Sequence, residues 1–240
     1  MSRMFGIALL VAALPAYAGD GRVPVLVELF TSEGCSSCPP ADAVLARLVR
    51  DQPVQGAEIV ALSEHVDYWD SLGWRDPYSS AVFTERQEAY APLLRRGNIY
   101  TPQAVVDGHS DVLGSDVSAI RQAASAAAAK AHGKLEARRG SKSLHLDAVL
   151  PPHGGADLFL AAVDEPPPSH VERGENAGRT LSHVRVVREL RRVARLEQPS
   201  WSGEVELEPR LQRLRLVVFV QERTTGRVLA AGSWAPAPGM

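Results

Sequence analysis

Cysteine is almost absent from this 240-residue chain: there are two, Cys35 and Cys38, in a single C-x-x-C. No second C-x-x-C and no H-x(3)-H accompanies them, which argues against the four-ligand structural zinc sites that such pairs build. Charge of one sign is lacking as well. Against 28 acidic residues stand 26 basic ones, a net charge of −2, so neither nucleic acid nor an acidic lipid surface is a predicted partner. The densest basic stretch, 179–195, sets six arginines against Glu189 alone and reads as the solvated face of β-strands. Past the first residues no apolar run approaches the roughly 20 residues of a membrane helix, and there is no internal repeat.

The first eighteen residues carry the pattern of an export signal. Arg3 supplies a positive start, residues 5–14 an apolar core, and Ala16-Tyr17-Ala18 a small-x-small cleavage site. Pro15 and Gly19-Asp20 interrupt the run before it is long enough to anchor. The expected mature protein therefore starts near Gly19, without a membrane span, in the periplasm or outside the cell. In that compartment disulfides persist. A four-residue loop is a poor brace, worth about 2 kcal/mol in the chain-entropy model against about 4.7 for a 100-residue loop. Adjacent sulfurs suit a reversible switch better.

Residues 19–133 alternate short apolar runs with helix-like segments, the βαβ style of an α/β layer fold. Residues 25–30 are apolar on both faces except for Glu28, as in a central covered strand. A helix should open near Ser36 or Ser37, with Pro39 and Pro40 tolerated in its first turn and Val44, Leu45, Leu48 and Val49 as its buried stripe. A strand over 58–63 follows. Next comes the insertion HVDYWDSLGWRDPYSS, then a helix from about Ser79 that Pro92 kinks or shortens. Residues 103–106 read as a strand turning at Asp107-Gly108, and Ser115 or Asp116 caps an alanine-rich helix ending near Gly133. From 134 to 240 the texture changes to short alternating runs over 144–150, 158–163, 181–190, 205–207, 214–220 and 228–231. These predict a β-rich, sandwich-like second domain.

A C-x-x-C between a buried strand and a helix has a chemical purpose. The partial positive charge of a helix start favours thiolate over thiol, and thiol pKa values in such motifs fall to roughly 3.5–7.5. Cys35 is then the attacking sulfur, reachable from solvent, and Cys38 the resolving one. Hydroxyls of the intervening Ser36-Ser37 pair are candidate donors to the Cys35 thiolate.

The order strand, C-x-x-C, helix, strand, then Thr101-Pro102 before a strand and hairpin resembles the thioredoxin superfamily. FTSEGCSSCPPAD, HVDYWDSLGWRDPYSS, IYTPQAVVDG and GENAGRTLSHV further resemble an uncharacterised family of secreted bacterial thioredoxin-like proteins, known as a domain of unknown function. The resemblance implies a thioredoxin-like fold carrying a helical or loop insertion. It also implies a cis Pro102 packed against the disulfide, a Thr101 that offers backbone hydrogen bonds to substrate, and a buried acid, Glu28, that accepts the resolving thiol's proton. Two departures stand out: Glu28 is one residue further from the first cysteine than in thioredoxin, and Gly34 replaces an aromatic residue.

The function these readings predict is thiol–disulfide exchange with a protein substrate and a redox partner protein, with no cofactor. In the insertion, His65 and Trp69 are candidate substrate-binding residues beside the dithiol. The favoured reading of Trp69 and Trp74 is as packing anchors of a long loop, with Asp70 or Asp76 capping a turn. Two other classes stay open. Cys35 and Cys38 with His65 are a possible Cu(I) ligand set. A non-catalytic binding module would instead use Trp201, Trp234 and the arginines from Arg185 to Arg195.

Overall fold

The structure is a computed structural model that describes residues 21–140 and 142–236. The export-signal pattern of 1–18 lies outside the described residues. β1 (Val23–Thr31) runs parallel to β2 (Ala57–His65), with α1 (Pro39–Asp51) as the connection between them. After α2 (Ala81–Leu93) the chain forms the hairpin of β3 (Gln103–Val106) and β4 (Ser110–Leu113), with β3 antiparallel to β1. The hairpin turns where expected. Asp107 and Gly108 both adopt positive φ, 54° and 64°, the conformation a tight two-residue turn demands.

α3 (Val117–Ala128) is capped by the Asp116 carboxylate, which accepts from the Ala119 amide. It ends five residues before Gly133. The remaining strands are β5 (Lys134–Arg139), β6 (Ser143–Val149), β7 (Ala156–Asp164), β8 (Ser169–His170), β9 (Thr180–Leu181), β10 (Val186–Leu196), β11 (Ser200–Glu206), β12 (Arg215–Glu222) and β13 (Val228–Trp234). The expected strand over 181–190 is split into β9 and β10 by a loop in which Arg185 takes a φ of 54°.

The fold is mixed α/β. One eight-stranded mixed sheet runs β13-β12-β7-β10-β2-β1-β3-β4, accompanied by a three-stranded sheet, β11-β6-β5, and the short β8–β9 pair. Strands on either side of residue 134 thus belong to one sheet: Val186 of β10 pairs with Ser63 of β2, and the Ser63 amide donates to the Arg185 carbonyl at 2.9 Å.

Alternation along the strands decides what covers each face. Val25, Val27 and Leu29 of β1 pack with Ala41, Val44, Leu45 and Leu48 of α1 and Ile120 and Ala124 of α3. Leu26 of β1 points the other way. It shares a core with Phe83 of α2 and with Ala161, Val217, Phe219 and Val228 from the far end of the sheet, which therefore curls back towards β1. The opposite residues of β7 and β12, Leu158, Leu160, Leu216, Val218 and Val220, meet Leu144, Leu146 and Val205 of the three-stranded sheet. The second half of the chain is thus two packed β layers, one of them an extension of the first half's sheet.

Candidate functional site

β1 delivers Thr31, fully buried, at the edge where a tight turn brings in the cysteines. In that turn the Cys35 amide donates to the Ser32 carbonyl and the Cys38 amide to the Cys35 carbonyl, both at 3.2 Å. Helix α1 starts later than the serines suggest. Cys38 is its N-cap and Pro39 and Pro40 fill its first positions, where a missing N–H leaves no helical bond unmade. Cys35 and Cys38 are joined in a disulfide with Cα atoms 5.4 Å apart.

Several groups converge on Cys35. The Thr101 hydroxyl donates to its sulfur at 3.4 Å, and the Ser37 hydroxyl lies 3.3 Å away. The Thr101-Pro102 peptide is cis and Pro102 is buried. Trp69 completes the chain of contacts by donating its indole N–H to Thr101 Oγ1 at 2.9 Å. A Cβ added at Gly34 would stand 3.0 Å from Trp69 Cβ, so this glycine allows the indole-bearing loop to close over the turn.

One expectation is overturned: Cys35 is not reachable from solvent. Both cysteines are 0 % exposed. The second part of their cover comes from the loop between β8 and β9. Asn176, itself fully buried, donates its side-chain amide to the carbonyls of Glu33 and Cys35 at 2.8 and 2.9 Å. Arg179 steadies it through its carbonyl oxygen at 2.7 Å, and Glu175 accepts from the Ser36 amide at 3.1 Å. GENAGRT is thus part of the site. Its sequence signal was a polar, glycine-punctuated run with no local structural purpose.

Glu28 belongs elsewhere. It shares the face of Leu26 and Phe30, where Phe30 packs with Tyr90 of α2, and so lies on the opposite side of the sheet from α1. Its carboxylate accepts from Arg86 and from the Tyr90 hydroxyl. Glu64, also fully buried, has neither oxygen hydrogen-bonded among the described residues and lies 3.7 Å from Arg86. Burial and the charge of Glu28 push its carboxyl well above the ordinary range, against the pull of Arg86. The proton-acceptor role implied for Glu28 therefore has no geometric basis: its oxygens are held by an ion pair on α2.

His65 is likewise internal. β2 runs two residues past the expected strand, so His65 is fully buried instead of lining the surface. Its Nδ1 meets Asp76 Oδ2 at 2.7 Å, and its ring lies edge-on to His183, centroids 4.7 Å apart. Burial works to raise the Asp76 carboxyl, but His65 and the amides of Glu33 and Tyr78 outweigh it and hold it below its usual value. Trp74 anchors the insertion by donating to Glu33 Oε2 at 2.8 Å, and Asp70 accepts from the Asp76 amide.

His183 sits between two acids, 3.3 Å from Glu33 Oε1 and 3.7 Å from Asp42 Oδ2. Burial lowers its pKa, but the bond to Glu33 and the charge of Asp42 leave it raised. Asp42 accepts from the Thr31 hydroxyl at 3.0 Å, and burial raises its carboxyl above the ordinary value. Sequence reading passed over Glu33, Asp42 and His183. The spacing of Asp42, one helical turn after Cys38, was the available clue. Among the described residues no group of three or more His, Cys, Asp and Glu side chains is arranged to hold a metal ion. The arginines of 179–195 are largely paired, Arg185 with Glu165, Arg188 with Asp164 and Arg192 with Asp157.

Comparison with known proteins places this architecture. A crystal structure of an Agrobacterium tumefaciens protein is similar to it, with 26% sequence identity and a TM-score of 0.78, over 92% of this chain and 98% of that one. No match was found among curated proteins. Residues 26–221, which include the cysteine turn, both covering loops and the buried acid–histidine network, match the family described as "Protein of unknown function (DUF1223)", and the chain belongs to that family.

Proposed function

We propose that this chain is an exported, thioredoxin-like thiol–disulfide exchange protein in which Cys35 attacks and Cys38 resolves. The observation that carries the reading is the Thr101 hydroxyl donating to Cys35 Sγ at 3.4 Å, in a turn that opens directly into α1. Ser37 supplies a second hydroxyl at 3.3 Å. Hydroxyl donors and a helix start both favour a sulfur that carries negative charge.

The chemistry balances on sulfur alone. The Cys35 thiolate attacks a substrate disulfide, forming a mixed disulfide and expelling one substrate thiolate. Cys38 then attacks Cys35 Sγ, closing the Cys35–Cys38 bond and expelling the second. Two electrons pass to the substrate. The reverse sequence oxidises a substrate dithiol. The substrate is a protein disulfide or dithiol, and a second redox protein resets the pair. Export follows from the pattern of 1–18, and the periplasm is where such a pair would work.

Complete burial of both sulfurs favours a second reading, in which the disulfide is a fixed brace. Exchange requires Trp69 and the 171–179 loop to part from the cysteine turn. Equilibration in glutathione buffers, followed by trapping and mass measurement, separates the two. The exchange reading expects a midpoint reached with the protein folded, activity on insulin or a scrambled disulfide, and loss of that activity in Cys35→Ser. A disulfide that resists reduction until the protein unfolds would leave only the brace.

A further inference from the structure

We propose that Asp42, assisted by His183, is the proton acceptor for the Cys38 thiol, the role that the position of Glu28 denies it; this inference rests on the exchange reading above. The reacting step requires such a group. When the Cys38 sulfur attacks the mixed disulfide at Cys35 it must lose its proton, and a buried thiol ionises poorly without an acceptor beside it. The Asp42 carboxylate takes the proton, a Cys35–Cys38 bond forms, the bond from Cys35 to the substrate sulfur breaks, and the departing thiolate carries the electron pair.

Placement supports this. Cys38 has helical φ and ψ and Asp42 follows it by four residues, its amide donating to the Cys38 carbonyl at 3.1 Å. Residues so spaced lie on one face of a helix with Cβ atoms about 5–6 Å apart, so Cys38 and Asp42, both buried, share one face of the first turn of α1. Asp42 is also set up to exchange protons with solvent. It is 6 % exposed, and that exposure opens into a groove of about 540 Å³ between α1 and β9, lined by Arg47, Arg50 and Arg179. The fully buried thiol has no comparable opening.

The groups facing Asp42 tune it in opposite directions. Burial raises its carboxyl; His183, His65 and the Thr31 hydroxyl lower it, and Asp76 beyond them raises it. Glu33 holds His183 from the other side at 3.3 Å. His183 Nδ1, buried and without a hydrogen bond among the described residues, stands 3.7 Å from Asp42 Oδ2. In its protonated form, which Glu33 and Asp42 favour, it is therefore placed to steady the ionised Asp42 carboxylate that accepts the thiol proton.

The test is the closing rate of a mixed disulfide. Reduced protein is mixed with 5,5′-dithiobis(2-nitrobenzoate), and two releases of thionitrobenzoate are followed against pH: attack by Cys35, then closure by Cys38. In the wild type, closure levels off above the pKa of Asp42. In Asp42→Asn, closure at pH 7 falls by at least about tenfold, at the lower edge of general-base effects or below, and keeps rising into alkaline pH as Cys38 ionises unaided. The first release is unchanged, and Asp42→Glu recovers most of the loss. Should Asp42→Asn not fold, His183→Gln decides: removing the cation raises Asp42 and moves the rising limb to higher pH. Folded Asp42→Asn with wild-type closure at every pH, or His183→Gln with an unmoved limb, overturns the proposal while leaving the exchange reading intact. Wild-type protein that releases no second thionitrobenzoate overturns both.

Discussion

The side-chain amide of Asn176 donates to the Cys35 carbonyl at 2.9 Å, across 141 positions of sequence. The same nitrogen holds the Glu33 carbonyl, so one residue from the second half of the chain fixes both sides of Gly34. Asn176→Ala leaves two buried carbonyls without this donor, a loss of about 1–3 kcal/mol in stability. Urea denaturation should show that loss, and dithiothreitol should reduce the disulfide of the variant faster. An unchanged reduction rate would mean that the 171–179 loop does not govern access.

Trp69 is the other half of the cover. Its indole donates to Thr101, which in turn donates to Cys35. Trp69→Ala removes both the shield and the first link of that chain. We expect faster alkylation of Cys35 in the reduced protein by iodoacetamide, by an order of magnitude or more. Trp69→Phe, which keeps the bulk but not the N–H, should fall between the two. Equal rates in all three would place the barrier elsewhere.

Arg86 is the cation on which the Glu28 cluster depends. It bonds Glu28, approaches Glu64 and lies over the rings of Phe159 and Phe219 at 5.2 and 5.0 Å. Arg86→Met strands buried carboxylates and should destabilise by about 3–5 kcal/mol. The double variant Arg86→Met with Glu28→Gln should recover part of that in denaturant titration. A closing rate for the dithiol close to wild type in the folded double variant is also expected, because this cluster lies across the sheet from α1.

Glu64 gives a pH signature with a definite sign. Its folded-state pKa is raised by burial and by Glu28, so the stability it contributes is present below its unfolded value, about 4.3, and is lost as pH rises from there through the folded value. Glu64→Gln imitates the neutral form at every pH. The variant should melt above wild type at pH 7–8, with the difference shrinking towards pH 4. A constant difference across that range would show that Glu64 titrates alike in both states.

Asp76 and His183 bracket the site from opposite sides. The lowered Asp76 contributes stability above its unfolded pKa that is lost as pH falls through the folded one. The raised His183 contributes stability that is full below its unfolded pKa, about 6.5, and is lost as pH rises through the folded one. Asp76→Asn should therefore flatten the acid limb of the melting profile and His183→Gln the alkaline limb.

Local chemistry was legible where one segment determines its own conformation. The β1 core, the Asp107-Gly108 turn, the Asp116 cap and the early end of α2 near Pro92 all follow from residues close in sequence. The start of α1 moved because two prolines at its first positions outweigh the capping preference of Ser36 and Ser37. β5 went unread because Lys134–Arg139 offers only Leu135 and Ala137 to a core. What the sequence hid was partnership at a distance. The oddity of Glu28 was visible, but Arg86, which answers it, is 58 positions away, and nothing near Cys35 announces Asn176. The lone histidine of HVDYW looked like a surface group because its strand seemed to end before it.

The hydrogen bond from the Ser63 amide to the Arg185 carbonyl ties β2 to the segment entering β10. The hairpin that bears Asn176 therefore hangs between β7 and β10, both anchored in the sheet that also presents the sulfurs. Cutting the chain after α3 would not yield a minimal version of the protein. It would bare one flank of β2 and unroof the cysteine turn in the same stroke, so a truncated fragment would report on damage rather than on chemistry.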